Sequence, residues 1–268
     1  MGRSLVHVAK RLDVELEFAW NRSRLGDDVA PTQVFGGVDS LVGAIERRGL
    51  RGGEVVWLTV SDDAIRPLAA RLSTVLSDEQ IVLHTCGSLE ASVVRGEGLE
   101  TPTAGVHPLL AITDPKQAAD RFGQAFWTVE GDDEAVRVAR KIIDELGAEA
   151  FELTAGKRAL YHASAVLASN LEVALLDAAV EVAGESGLQR ERAVEMLVTL
   201  ASSALANIDT DIGPDSLSGP AARGDSGTLD RHRKALRAEG FDDILEIYER
   251  LTARIEQMTS AGPEGNED

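Results

Sequence analysis

The chain has 268 residues, 44% of them hydrophobic, and carries a formal net charge of −18 at pH 7. That length supplies the core of one large or two ordinary domains, while the acidic balance argues against a nonspecific binder of nucleic acid or anionic membrane. A single cysteine, Cys86, excludes a disulfide framework and a cysteine-based zinc site.

No metal site is expected, and the lone thiol fits a reducing cytoplasm. The sequence shows no basic, apolar leader at its start. No run reads as the ~18 apolar residues that cross a bilayer.

The chain opens MGRSLVHVAKRL, a glycine leading into an amphipathic helix, and continues into the strand-like LEFAW (16–20). Gly2 suits the last glycine of a G-x-G-x-x-G turn, where the missing Cβ lets helix pack on strand and a pyrophosphate sits on the helix N-terminus. The first strand and the first two glycines of such a turn are not in the sequence, and the expectation is that they lie upstream of Met1. At the end of the second strand stands Asn21-Arg22-Ser23-Arg24, with no acid to bind a ribose hydroxyl. Two arginines and a serine offer donors for a 2′-phosphate, so NADP is expected, with NAD as the alternative.

Further strand-like runs are EVVWLTV (54–60), IVLHTC (81–86) and AFWTV (125–129). Between them, residues 39–49, 62–76 and 132–147 carry apolar positions near helical spacing, and each begins with an aspartate suited to capping. Such alternation predicts a doubly wound α/β domain with a mainly parallel sheet, whose ligands bind outside the carboxyl ends of the strands. Ser61 and Asp62 after one strand, and His84, Thr85, Gly87 and Ser88 after the next, are therefore expected to line a cofactor crevice. Asp62 has the alternative role of helix cap. His107 precedes Pro108 at the end of another strand, which biases it to extended backbone.

From about residue 154 the strand signals stop and Ala- and Leu-rich helices follow. The expected division is an α/β domain over 1–153, an all-α domain over 154–260 and a polar tail over 261–268. GKRALYHASAVLASN opens the helical part, with Lys157 at its start. Tyr161 lies one turn on, His162 and Ser169 share a face, and Asn170 adjoins it. A lysine facing a cleft can bind a carboxylate or protonate a carbonyl oxygen. Further along, Arg223 in the loop SGPAARGD has the geometry of a fork for a carboxylate or phosphate.

Together VSDDAI, LHTCGSL, HPL, FWTVEGDDEAV, GKRALYHASAVLASN and SGPAARGD…RH resemble proteins that pair a Rossmann-like domain with domain of unknown function 2520. These fall within the wider 6-phosphogluconate dehydrogenase-like group, which includes ketopantoate reductase and pyrroline-carboxylate reductase. The resemblance implies an NAD(P)-binding domain, a helical C-terminal domain and a homodimer built on the helices; it implies no particular substrate. Hydroxyacid dehydrogenases of the group follow a helix lysine with Asn about four residues later, where this chain has Tyr161. The expected activity is hydride transfer between NADP and a small carbonyl or hydroxy acid. Lys157 or His162 would serve as acid/base, His107 and Asn170 would orient substrate, and Ser169 and Arg223 would bind it. The alternatives are a non-catalytic nucleotide-binding or sensing dimer, and a structural dimer.

Overall fold

Short β-branched runs and long Ala/Leu-rich stretches sort into two separate units, Met1–Ser169 and Asn170–Asp268. The computed structural model describes residues 1–26, 32–95, 101–209 and 211–260, so the polar tail 261–268 lies outside the described residues.

In the first unit the elements run α1 (Gly2–Arg11), β1 (Ala19–Asn21), β2 (Gln33–Phe35), α2 (Val38–Arg48), β3 (Val55–Leu58), α3 (Asp62–Leu72) and β4 (Ile81–His84). They continue as α4 (Ser92–Arg95), β5 (Thr103–Pro108), α5 (Pro115–Arg121), β6 (Phe126–Gly131), α6 (Asp133–Glu145), β7 (Glu149–Glu152) and α7 (Arg158–Leu167). The main sheet has the order β3-β4-β5-β6-β7, and β1 pairs in parallel with β2 in a separate small sheet. All neighbours in the main sheet are parallel except β5 and β6, which meet antiparallel, His107 opposite Thr128.

Side-chain alternation on these strands feeds two cores. Leu83, Ala104, Val106, Trp127 and Val129 point to one face and pack on Val8 of α1, Ala118 and Ala119 of α5, and Ala135 and Ala139 of α6. On the other face Leu58 and Val82 meet Leu41, Ile45, Ile65, Leu68 and Val94 from α2, α3 and α4. This is the expected doubly wound α/β architecture, helices on both faces of a largely parallel sheet.

Of the three aspartates expected to cap helices, Asp132 holds the N-cap position of α6 without a side-chain cap bond, and the other two do not. Gly37 and Ser61 are the N-caps of α2 and α3, which places Asp39 and Asp62 inside the first turn, where a carboxylate favours the helix dipole. Asp39 pairs with Arg71, Asp62 accepts a hydrogen bond from Ser88 Oγ at 3.1 Å, and Asp132 Oδ2 accepts from the Thr103 amide at 2.9 Å. Caps bonded through the side chain occur instead at Asp114 of α5 and at Asp225.

The second unit holds α8 (Asn170–Glu185), α9 (Arg190–Leu205), α10 (Ser226–Ala238) and α11 (Asp242–Ser260), an all-helical arrangement as expected. Its buried apolar set is small, chiefly Val180, Ala193, Leu229, Leu236 and Leu245. Val173, Met196, Val198 and Leu200 are exposed on α8 and α9.

Two sequence expectations are revised. The change of unit falls after Ser169, whereas the change of rhythm lies near 153, so α7 is part of the α/β unit. The helical stretch Arg158–Glu185 is long and apolar enough to cross a membrane, with a mean hydropathy of 1.5, where no such run was read from the sequence. Its first residue, Arg158, is a cation wholly buried within the first unit, and that burial ties the start of the stretch to the sheet rather than to lipid.

Candidate functional site

The face of the main sheet left free by α2–α4 is occupied by α7. Cross-strand partners share a face, so His84, Gly105, His107 and Thr128 all point toward that helix. His84 and His107 lie at the carboxyl ends of β4 and β5, the end at which a doubly wound sheet presents ligands.

Three side chains converge here, one from β5 and two from α7. His107 Nδ1 and the Tyr161 hydroxyl are hydrogen-bonded at 3.1 Å. The His162 ring meets His107 edge-on, with centroids 5.6 Å apart. Both histidines crowd the backbone of Gly87: a Cβ there would overlap His162 Nδ1 and would come within 3.0 Å of His107 Nε2. Gly87 is thus glycine because two imidazoles occupy the space a side chain would fill. His162 Nδ1 is buried and has no hydrogen-bond partner.

Burial, followed by the charge of Arg158, pulls His107 down to about 4. Burial and then Arg158 pull His84 down to about 4 as well, and neither of its ring nitrogens has a hydrogen-bond partner. Both rings are neutral near pH 7. Burial pushes the Tyr161 phenol up, which keeps it protonated. The site therefore offers a neutral phenol on a neutral imidazole, and it holds its proton until a reacting atom takes it.

Cys86 organises the turn between β4 and this cluster. Its Sγ accepts from the amides of Ser88 and Leu89, at 3.4 and 3.3 Å, and burial pushes its thiol up, so it acts as a structural acceptor. Ser88 and Asp62 complete the rim through their mutual hydrogen bond.

Of the residues expected from sequence, the fold gathers His84, Gly87, Ser88, Asp62, His107 and His162 in one region. Lys157 is the N-cap residue of α7, with an exposed side chain that has no hydrogen bond or ion pair among the described residues. Ser169 donates to the Ala165 carbonyl at 2.6 Å. Asn170 begins α8, and Arg223 lies exposed in the loop before α10, both in the second unit. Ser61 and Thr85 flank the β3 and β4 tips, Ser61 exposed and Thr85 half-buried.

Sequence reasoning passed over Arg158 and gave Tyr161 no role in the chemistry. An Arg–x–x–Tyr spacing on a helix facing a strand glycine, Gly105, was the signal available.

The dinucleotide elements are local to the first unit. A Cβ on Gly2 would overlap Thr59 Oγ1, so the start of α1 packs tightly onto the chain just past β3, the close approach that the last glycine of a phosphate turn permits. Ser4 Oγ, in the first turn of α1, is fully buried without a hydrogen-bond partner. Beyond β1, Asn21 Nδ2 donates to Ser23 O at 3.0 Å and to Ser23 Oγ at 3.2 Å, and Arg22, Ser23 and Arg24 are exposed. Glycine at a tight approach, an orphaned buried hydroxyl and two exposed arginines at a strand end fit a phosphorylated dinucleotide. Among the described residues no His/Cys/Asp/Glu group fits a metal.

Residues 125–255, just under half of the chain, match the family model described as Domain of unknown function (DUF2520). No curated protein matches the sequence. Solved structures do. Protein TM1727 from Thermotoga maritima shares 24% identity over 86% of this chain and 90% of its own, with a TM-score of 0.66. The Bacteroides fragilis protein BF3122, an NADP oxidoreductase by assignment, shares 17% identity over 95% and 93%, with a TM-score of 0.70. Plasmodium falciparum pyrroline carboxylate reductase, solved with NADP bound, shares 12% identity over 96% and 93%, with a TM-score of 0.59. These likenesses establish the fold, a Rossmann-like α/β unit followed by helices.

Proposed function

We propose that this chain is an NADP-dependent oxidoreductase that reduces a small carbonyl compound or oxidises the corresponding hydroxy acid. The observation that carries the reading is the neutral Tyr161–His107 pair seated, with His162, against the Gly87 backbone at the carboxyl ends of β4 and β5. Bound NADP would supply or receive the hydride. The chain's own part is the proton. In reduction, neutral His107 donates its Nδ1–H to the Tyr161 oxygen, which leaves the phenolic proton directed at the substrate oxygen. As the carbonyl carbon gains a hydride, that oxygen takes the Tyr161 proton, and the alcohol forms with one hydride and one proton added. The phenolate left behind keeps the His107 hydrogen bond and is reprotonated from solvent. His162 and the Gly87 backbone fill the space beside the pair and limit the room for water.

The fold likeness to a reductase solved with NADP bound supports the cofactor. Arg22 and Ser23 beyond β1, with no acid among Asn21–Arg24, support NADP over NAD. The exposed apolar residues of α8 and α9 support a second copy of this chain as the partner of the helical unit, since a helix apolar on several sides needs cover.

The test is a panel of 2-keto and 2-hydroxy acids followed by NADPH absorbance, with dissociation constants measured for both cofactors. Turnover with one class, tighter binding of NADP than of NAD, and a smaller gap in Arg22→Asp are expected. Tight NADP binding without turnover on any acid would favour a nucleotide sensor. Equal or tighter NAD binding would remove the cofactor preference, and a monomer by light scattering at micromolar concentration would remove the dimer.

A further inference from the structure

Arg158 is the one wholly buried arginine among the described residues, and the proton chemistry above gives it no part. Its position is made by a glycine. Gly105 of β5 faces α7, and a Cβ there would lie 2.6 Å from Arg158 Cζ and 2.7 Å from Nη1. The guanidinium fills that slot flat against the sheet. Its Nε and Nη2 donate to the Cys86 carbonyl at 3.1 and 2.8 Å, and Nη1 donates to the Gly105 carbonyl at 3.2 Å.

What the charge lacks is a contact counterion. Its nearest carboxylate, Glu130, stands 4.0 Å away and accepts a hydrogen bond from the Ala91 amide at 2.9 Å. Burial pushes that carboxyl up, which weakens it further as a counterion. Glu90 faces the start of α7 but spends its oxygens on the amides of Gly156 and Arg158. A buried cation held by carbonyl dipoles and a distant carboxylate projects its field onto its neighbours. Tyr161 lies three residues further along α7, on the face that Arg158 also uses.

We propose that Arg158 is a positioning residue whose buried, incompletely countered charge stabilises the phenolate of Tyr161, so that Tyr161 rather than His107 gives up the proton. The inference rests on the proposed function for its use, though not for its test. The groups acting on Tyr161 are His107 from β5, Thr128 from β6 and Arg158 from α7; Glu130 from β6 and Cys86 and Glu90 from the segment after β4 act on Arg158, and His162 acts on His107. Asp62 of α3 acts on His107 and His84 with the opposite sign to Arg158. Burial pushes the Tyr161 phenol up, and against it the Thr128 hydrogen bond and then the charge of Arg158, the one cation in this set, favour the phenolate. The same charge disfavours protonation of His107, which keeps that ring a neutral donor to the phenolic oxygen.

The chain has two tyrosines, Tyr161 and Tyr248. In a Tyr248→Phe background, phenolate absorbance reads Tyr161 alone, without substrate or cofactor. Arg158→Gln is expected to raise the Tyr161 midpoint, by about a unit or more, and to move the His107 imidazole midpoint upward by NMR. Glu130→Gln retains an oxygen for the Ala91 amide and removes the counter-charge, so it should lower both midpoints. Arg158→Lys should bring the phenol back toward its original value.

If Arg158→Gln does not fold, the other two variants decide the matter. Folded Glu130→Gln with both midpoints unmoved, or Arg158→Lys with the phenol shifted as far as an uncharged residue would shift it, would overturn the proposal. Shifted midpoints in a chain that turns over no acid would sustain the electrostatic inference while removing the proposed function. Turnover with unshifted midpoints would do the reverse.

Discussion

Tyr161→Phe lowers the rate of carbonyl reduction by about 100- to 10,000-fold, the contribution of a positioned proton donor, and leaves NADPH affinity unchanged. The substitution removes one oxygen from a half-buried site in which that oxygen bonds His107 Nδ1 at 3.1 Å. The His107 ring loses a partner but stays neutral, so the fold carries little penalty. His107 charges only near its lowered value of about 4. The wild-type rate is therefore expected to be flat as pH falls from 7 toward 5, and to drop as the imidazole takes a proton below that. Single-turnover kinetics with saturating NADPH across this range provide the measurement. A Tyr161→Phe rate within tenfold of wild type would assign the proton to another donor, and a wild-type acid limb centred at 6.5 would show that His107 is not buried as described.

Gly131→Ala destabilises the α/β unit by about 3–5 kcal/mol, at the upper end of single-substitution effects. Gly131 ends β6 with φ at +144°, and a Cβ there would overlap the Thr103 carbonyl oxygen and sit 2.7 Å from Ala104 Cα. Those are backbone atoms of β5. They cannot retreat without opening the antiparallel ladder in which Ala104 faces Gly131. Backbone strain and overpacking each cost about 1–3 kcal/mol at such a site. Gly147→Ala is the control, because its φ of +76° carries the strain alone, with nothing within 4 Å of the added methyl. Urea midpoints of the two variants give the comparison. Equal midpoints would mean that β5 and β6 tolerate the extra carbon.

The strand reading shows why part of the sheet was legible. β3 and β4 lie within the apolar runs at 54–60 and 81–86, and β6 begins within the run at 125–129. The interior strand β4 is buried at every position, and such a strand needs continuous apolar sequence. β7, sequence EAFE, and the three-residue β2 carry no such signature, being mostly exposed or half-buried. The reversal between β5 and β6 left no trace either. Side chains alternate with the same period in parallel and antiparallel strands, so periodicity is silent on direction.

The sequence by itself determined the alternation of strands and helices, the later change to helix alone, and the placement of His84 and His107 at strand ends. Each follows from local spacing, which any window of the chain contains. Only the tertiary structure decided which charged residue of GKR enters the site. Neighbouring residues on a helix point about 100° apart, so either Lys157 or Arg158 could have faced the sheet. Lys157 is exposed and Arg158 is buried because α7 settles where β5 has Gly105, the gap that admits a guanidinium. That gap lies more than fifty residues away in sequence, and only folding brings it under the helix.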